Sequence, residues 1–447
     1  MDDAKTIWSL WQSMLESFQP CFTRGGWVRF AQWVTGMVLC DEEHTITQSL
    51  TSCAAADRWR VIEHFAEYGS WDRPVVERQL ERLVASESPQ TFAGYRVVAL
   101  DDTKEHRTSP DVWGTCTFHE STARSPNRAE TVRAHNWVVL GSLTPGQPWD
   151  YAPLASRLYF RREQLPVGET FRTKTELAVE LFQQADEEST KPVLAAFDGA
   201  YANRAVIGPL LAPPRARRRI QFVTRLRKDA RLYAPVTRAR SPRGGRPRKW
   251  GRRLPAPEKH TQWNTPWKNG RTYLYGRLRK FRCQQLECRW SVTGPDEPVV
   301  VYAFLVEGYE KPWYLVTSAR DLTPAQVVAV FAARFRQEDG FRDHKQRLGM
   351  EECRAWTKEP VLRTFQVQLV AQALLRLMPR KLAQPRQGTW WTPPPWNPDK
   401  QHPSLLDVRR LLWRHRGQFS HFILRLEKFA KPPQAHFPCG RTTTRAA

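Results

Sequence analysis

Residues 331–345 read FAARFRQEDGFRDHK. At about 100° per residue, a helix through this stretch brings Phe331, Glu338 and Lys345 within roughly 40° of one another around its axis, with Arg334 about 60° from Phe331. One stripe therefore carries a carboxylate between two cations. A charged stripe of this kind also makes an ordinary solvated helix face, with Arg334 and Glu338 as an i,i+4 ion pair. The choice between a solvated face and a site depends on which other acids the fold brings to it.

The chain has 447 residues, 41% hydrophobic and 26% charged, a globular composition with room for two or three domains, one of them inserted into another. Lys and Arg total 69 against 45 Asp and Glu, a formal net charge of +24. A folded protein with that excess needs a polyanion beside it; nucleic acid is the commonest, and a membrane surface the weaker alternative. No apolar run approaches the roughly 18 residues of a membrane span. The segment MDDAKTIWSLWQ lacks the basic-then-apolar order of a secretory signal, so a cytoplasmic protein is expected. The eight cysteines are scattered and read as reduced thiols. Cys283 and Cys288 are close, but no nearby Cys/His pair completes a tetrahedral zinc site.

The texture along the chain predicts five segments. Residues 1–90 have helical spacing, as in WVRFAQWVTGMVL and RWRVIEHFAEY, and form a helical domain; HTITQSLTSCAAADRWRVIEHF could be a helix-turn-helix with Asp57 capping its second helix. In 91–212, YRVVALDDT, NWVVLGSL and DYAPLASRLYF read as strands, TKTELAVELFQQA as a helix, and KPVLAAFDGAY as a further strand ending in Asp198. This is a mixed α/β sheet with carboxylates at strand ends. Residues 213–316 interrupt it with a β-rich insertion: IQFVTRL, then RARSPRGGRPRKWGRR, which has eight basic and no acidic residues in sixteen positions, then RTYLYGRLRKF, PVVVYAFLVEGY and PWYLVTS. Residues 317–380 hold one helix over roughly 323–347 and a second, apolar one. Residues 381–447 hold a Pro/Trp-rich linker, an amphipathic helix and a basic tail.

Asp101 or Asp102 after the first strand, Asp198 after a later one, and Glu338 on the helix now stand in comparable settings. Taken singly, an Asp after a strand is a turn or cap residue. Together, such acids suit two-metal cleavage of a phosphodiester, because hard cations about 3.5–4 Å apart take carboxylate oxygens and leave positions for water and phosphate. Strand side chains alternate faces, so only one of Asp101 and Asp102 can point into such a site.

In these residues the chain resembles the DDE transposases of bacterial insertion sequences, in the group whose last motif is Tyr, two residues, Arg, three residues, Glu, six residues, Lys. The match here is Phe331, Arg334, Glu338 and Lys345, with every spacing kept and Phe in place of Tyr. ALDDTK and AAFDGAY are similar to the two Asp motifs, and the D-x-T spacing favours Asp101. The interval of 140 residues from Asp198 to Glu338 is similar to that of members with a β-rich insertion. The resemblance covers about residues 95–350. It implies an RNase H-like core in which Asp101, Asp198 and Glu338 hold two Mg²⁺ ions, with Mn²⁺ able to substitute. It also implies hydrolysis at the element's ends, and attack of the freed 3′-OH on target DNA. Arg334 and Lys345 would hold flanking phosphates, while the missing hydroxyl at Phe331 leaves its share of that task open. The implied partners are double-stranded DNA, as terminal inverted repeats and as target, and a second copy of the chain when two ends are synapsed. The implied place is the bacterial nucleoid when the protein is bound to DNA.

Outside the acids, GGRPRKWG resembles a Gly-Arg-Pro core that lies in a narrow A·T-rich minor groove, making Arg246, Arg248 and Lys249 candidate DNA contacts; a plain basic loop on phosphates is the other reading. Trp263, Trp267 and Trp290 could stack on an unpaired base or pack in a core. His119 and His135 are read as structural. Two alternatives to a transposase remain: a non-catalytic DNA-binding descendant, and a nuclease with the same metal site.

Overall fold

The computed structural model describes residues 3–53, 56–120, 131–236, 249–383 and 390–418. The N-terminal part is helical: α1 (Asp3–Glu16), α2 (Arg24–Leu39), α3 (Ile46–Thr51), α4 (Trp59–Tyr68) and α5 (Arg73–Glu87). Thr23, Thr45 and Asp72 cap α2, α3 and α5 by accepting backbone N–H bonds, which satisfies donors that a helix start leaves open. Asp57 does not cap α4 as the sequence predicts. A 3₁₀ turn over Ala56–Arg58 feeds α4 directly, and no side chain caps it.

The sheet follows: β1 (Arg96–His106), β2 (Cys116–His119), β3 (Thr131–Thr144) and β4 (Asp150–Tyr159), then α6 (Lys174–Glu187), β5 (Val193–Phe197), α7 (Arg204–Leu211) and β6 (Ile220–Arg225). β4, β3 and β1 form an antiparallel meander, and β5 and β6 add parallel to β1. This is the RNase H-like mixed sheet. β6 opens the predicted insertion, yet it is a strand of the core sheet, because it pairs with the whole of β5 from Ile220 to Thr224.

The insertion continues the same sheet. After the short β7 (Leu232–Tyr233) and β8 (Arg253–Leu254) come β9 (Lys268–Leu274), β10 (Arg277–Trp290), β11 (Pro298–Val306) and β12 (Trp313–Thr317). β12 pairs with β6, so twelve strands among the described residues form one sheet. RTYLYGRLRKF, read as one strand, is a hairpin: Leu274 pairs with Arg277 across Tyr275 and Gly276, which take φ values of 51° and 80°. Two positive-φ residues are what a two-residue turn between right-twisted strands requires.

Last come α8 (Pro324–Ala333), α9 (Phe335–Arg347), α10 (Lys358–Leu382) and α11 (Leu405–Arg414). A capping box of Thr323 and Gln326, with Pro324 at the first helical position, starts α8. The helix predicted over 323–347 is thus two, meeting at Arg334, whose backbone stays helical. Strand alternation sorts the core onto two faces. Val98, Leu100, Ala195, Phe197 and Phe222 pack with α6, α7 and α10, whereas Val97, Ala99, Leu194, Ala196 and Val223 pack with α8. Among the described residues, no helix is long and apolar enough to cross a membrane.

Candidate active site

Three parallel strands set the position of the acids. Leu100 is in register with Phe197, and Phe197 with Thr224. Pairing of β1 with β5 ends there, although β1 itself runs on against β3 to His106. The sequence predicts acids at a strand end; for Asp101 the end is that of its neighbour. β5 stops because Asp198 turns back to cap a 3₁₀ turn, its carboxylate accepting the Gly199 N–H at 2.6 Å. Asp101 and Asp198 are therefore next in line on adjacent strands. By alternation from Ala99 and Ala196, both face the side of the sheet that carries α8 and α9.

Asp102 faces the other way. Lys174 Nζ donates to its Oδ2 at 2.6 Å and the Tyr201 hydroxyl to its Oδ1 at 2.9 Å. Of the two adjacent acids, Asp101 is the one turned toward the helix with Glu338.

α9 brings the third acid. Arg334 Nη1 donates to Asp101 Oδ2 at 2.9 Å, and its Nη2 donates to Glu338 Oε1, also at 2.9 Å. One guanidinium thus joins a carboxylate of β1 to one of α9. The helix lies close to the sheet for two local reasons. The buried Gln337 side chain donates to Val139 O at 2.8 Å, drawing the α8–α9 junction onto β3. Gly340, one turn on, leaves room for the buried ring of Tyr151, which a Cβ would meet at 2.4 Å.

Burial lifts the Asp101 carboxyl to about 6; Asp102 and Asp198 add to the rise, while Arg334 and the Asp102 N–H oppose it. Crowded carboxylates in a partly desolvated place call for a cation. Among the described residues, no three Asp, Glu, His or Cys side chains stand close enough together to hold a metal ion as they are, and Arg334 fills the space between two of the acids. Its own bonding is incomplete, since its buried Nε has no partner among the described residues. Asp101, Asp198 and Glu338 are all hard oxygen donors, so the set fits a hard divalent cation once the guanidinium moves out.

The other candidate residues fall into different places. Phe331 packs on the core beneath α8 near Trp313, with the Arg334 guanidinium 6.0 Å from its ring. Its ring therefore lies on the arginine's side of the helix, within the range of a cation–π contact. Lys345 is paired with Glu351 at 2.9 Å. Burial raises the Glu351 carboxyl, but Lys345 and His106 outweigh it and hold the group below the usual range. Lys249 is exposed, and Arg246 and Arg248 lie outside the described residues. Trp263 and Trp290 are core residues, 7% and 4% exposed, and Trp267 lies under the Arg282 guanidinium. Exposed rings beside Glu338 belong instead to Tyr275 and Phe335, in edge contact at 5.5 Å. Arg334 and Glu338 both bear on the Tyr275 hydroxyl, in opposite senses. A Tyr-Gly pair between two basic strand segments was the available signal for this hairpin tip.

The family of DDE superfamily endonucleases matches residues 17–286, a span that includes Asp101 and Asp198 and stops short of α9. No curated protein matches the chain. With more than half its length matched, and an RNase H-like sheet aligning two aspartates beneath a helix-borne glutamate, the chain belongs to the DDE superfamily endonucleases.

Proposed function

We propose that this nuclease is the transposase of an insertion sequence, which cuts the ends of its own element and joins the freed 3′-OH ends to target DNA. The observation that carries the reading is the shared guanidinium, because it brings Asp101 and Glu338 together over one positive charge with Asp198 alongside. Mg²⁺, or Mn²⁺ in its place, held by Asp101, Asp198 and Glu338 would supply the Lewis acidity that activates water and steadies a leaving 3′-oxygen. The chain's own residues bind and orient. Arg334, leaving its carboxylates, has the planar fork that grips a phosphate, and its unpartnered Nε–H adds a third donor. Lys345, two turns beyond Glu338 on the same helix, exchanges Glu351 for a second phosphate. Tyr275 and Phe335 offer a stacking surface for an unpaired base, a task for which the insertion's tryptophans were one candidate beside core packing. Two copies of the chain would hold the two ends together.

The experiment uses Mg²⁺, a duplex carrying the element's ends, a target plasmid, and the wild type beside Glu338→Gln. Cut ends and joined product from the wild type alone are expected. Cut ends without joining would favour a nuclease. Neither product, or full activity in Glu338→Gln, would remove the transposase reading, since a neutral amide is a poor replacement for a metal-binding carboxylate.

A further inference from the structure

We infer that Arg225, at the end of β6, is a DNA-phosphate-holding residue of the same site, gripping the backbone on the side of Asp198 away from Asp101. The inference rests on reading the acids as the nuclease centre.

The register gives its position. The line Leu100, Phe197, Thr224 crosses three parallel strands, and the next residue on each is Asp101, Asp198 and Arg225. Alternation gives its face. Val97 and Ala99 on β1, Leu194 and Ala196 on β5 and Val223 on β6 all pack in the core under α8, so Arg225, two residues after Val223, projects on the face of the two aspartates. An added Cβ on Gly199, the residue after Asp198, would sit 3.8 Å from Arg225 Cβ, which makes the two turns direct neighbours.

Its backbone is fixed. Thr224 Oγ1 donates to Phe197 O at 2.8 Å, the Leu226 N–H to Tyr314 O at 2.8 Å, and Arg225 itself pairs with Leu315 of β12. Its side chain is exposed and, among the described residues, has no ion-pair or hydrogen-bond partner. Nearby arginines differ: Arg218 pairs with Glu297, Arg219 with Asp186 and Arg227 with Asp229. A guanidinium left uncompensated beside two carboxylates, on a strand end held from both sides, is the attraction that a phosphodiester needs to approach acids that repel it. Neighbouring strands are about 4.8 Å apart, so a side chain of arginine's length spans Asp198 and reaches a strand lying over the site.

The test uses the full-length protein with two probes: nicking of a supercoiled plasmid in Mn²⁺, and binding of a fluorescent 40-base-pair duplex in EDTA over a range of salt. Arg225→Ala is expected to raise KM for nicking about tenfold with kcat within about threefold, and to flatten the slope of log affinity against log salt by about one. Arg225→Lys keeps most of the affinity, and Arg225→Glu loses nicking. Arg227→Ala, which removes an exposed arginine already paired to Asp229, serves as control and stays at wild-type values. Unchanged KM and salt slope in Arg225→Ala, or an equal effect from Arg227→Ala, would overturn the inference. Failure of the acid-site reading looks different: Glu338→Gln would then nick like the wild type, whatever Arg225 variants do to the salt slope.

Discussion

Lys174 and Tyr201 hold Asp102 on the face of β1 away from Arg334. Tyr201 closes the 3₁₀ turn that Asp198 begins, so its hydroxyl ties the β5 turn to β1 and keeps Asp101 and Asp198 in line. Asp101 has a different balance: its carboxyl is raised from 3.8 to about 6, chiefly by burial. A folded-state value above the unfolded one means that the acid opposes folding once it ionises, so stability is lost as pH rises from about 4 through about 6. Asp101→Asn should therefore lose plasmid nicking in Mn²⁺ by more than about 100-fold while, in metal-free protein, gaining about 1–2 kcal/mol at pH 7, a gain that fades towards pH 4. Asp102→Asn should keep part of the nicking but lose about 1–3 kcal/mol, because Lys174 is left without its anion. Urea unfolding at pH 7 and pH 4 beside a nicking assay measures both. Equal stability changes in the two variants would contradict the division of tasks. Sequence shows that adjacent strand residues face apart. It cannot show which faces the helix, because that depends on where α8 packs.

α9 carries its acid to the sheet through a contact made by absence of a side chain. The ring of Tyr151 lies between Gly340 of α9 and Gly141, where the β3–β4 register shifts between Leu140 and Gly141; an added Cβ would meet that ring at 2.4 Å from the first and 2.2 Å from the second. Neither gap can open cheaply, since the ring is buried. Gly340→Ala is expected to push α9 outward and lower kcat for nicking at least tenfold, although alanine is the better helix former. Adding Tyr151→Leu should recover much of that loss by vacating the space. A single mutant with wild-type activity would show that Glu338 does not depend on this seating. The helical period of 331–345 was legible from the stripe of Phe331, Glu338 and Lys345. The break at Arg334 and the glycine contact were not, because the first follows from Gln337 reaching the β3 backbone and the second from a bulge two strands away. The hairpin at Tyr275 was signalled only weakly: the Tyr-Gly pair in RTYLYGRLRKF is not a strong turn pair, because its tyrosine adopts a positive φ that glycine or asparagine usually supplies.

At the scale of the whole molecule, the N-terminal helices and the catalytic sheet share one core, in which Trp11, Trp33 and Leu80 belong with Val98, Leu181 and Phe222. α10 joins them. Its sequence reads as an apolar helix, but polar side chains fix its neighbours on both sides. Gln366 accepts from Trp71 Nε1 and donates to Arg73 O, while Gln368 donates to Leu348 O and Gln372 to Gly340 O. Apolar spacing could announce the helix; it could not say that these glutamines are buried, since their partners come from segments distant in the chain. Arg363 is the strongest such tie. It is 5% exposed, donates to Phe65 O and Ala66 O at the C-terminal end of α4 at 3.2 and 2.8 Å, and lies over the Trp71 ring. Arg363→Met would fill most of the volume but leave the Ala66 carbonyl bare and Phe65 O with only the Gly69 N–H, at a cost of about 1–3 kcal/mol. Because the core is shared, that loss should move the entire unfolding curve. Tryptophan fluorescence, which reports on rings in the N-terminal helices and in the sheet alike, and far-UV circular dichroism should shift together to a lower urea midpoint in one coincident transition. Two separated transitions, with only one of them displaced by the substitution, would mean that the N-terminal helices fold as a unit of their own and that α10 does not couple them to the acids.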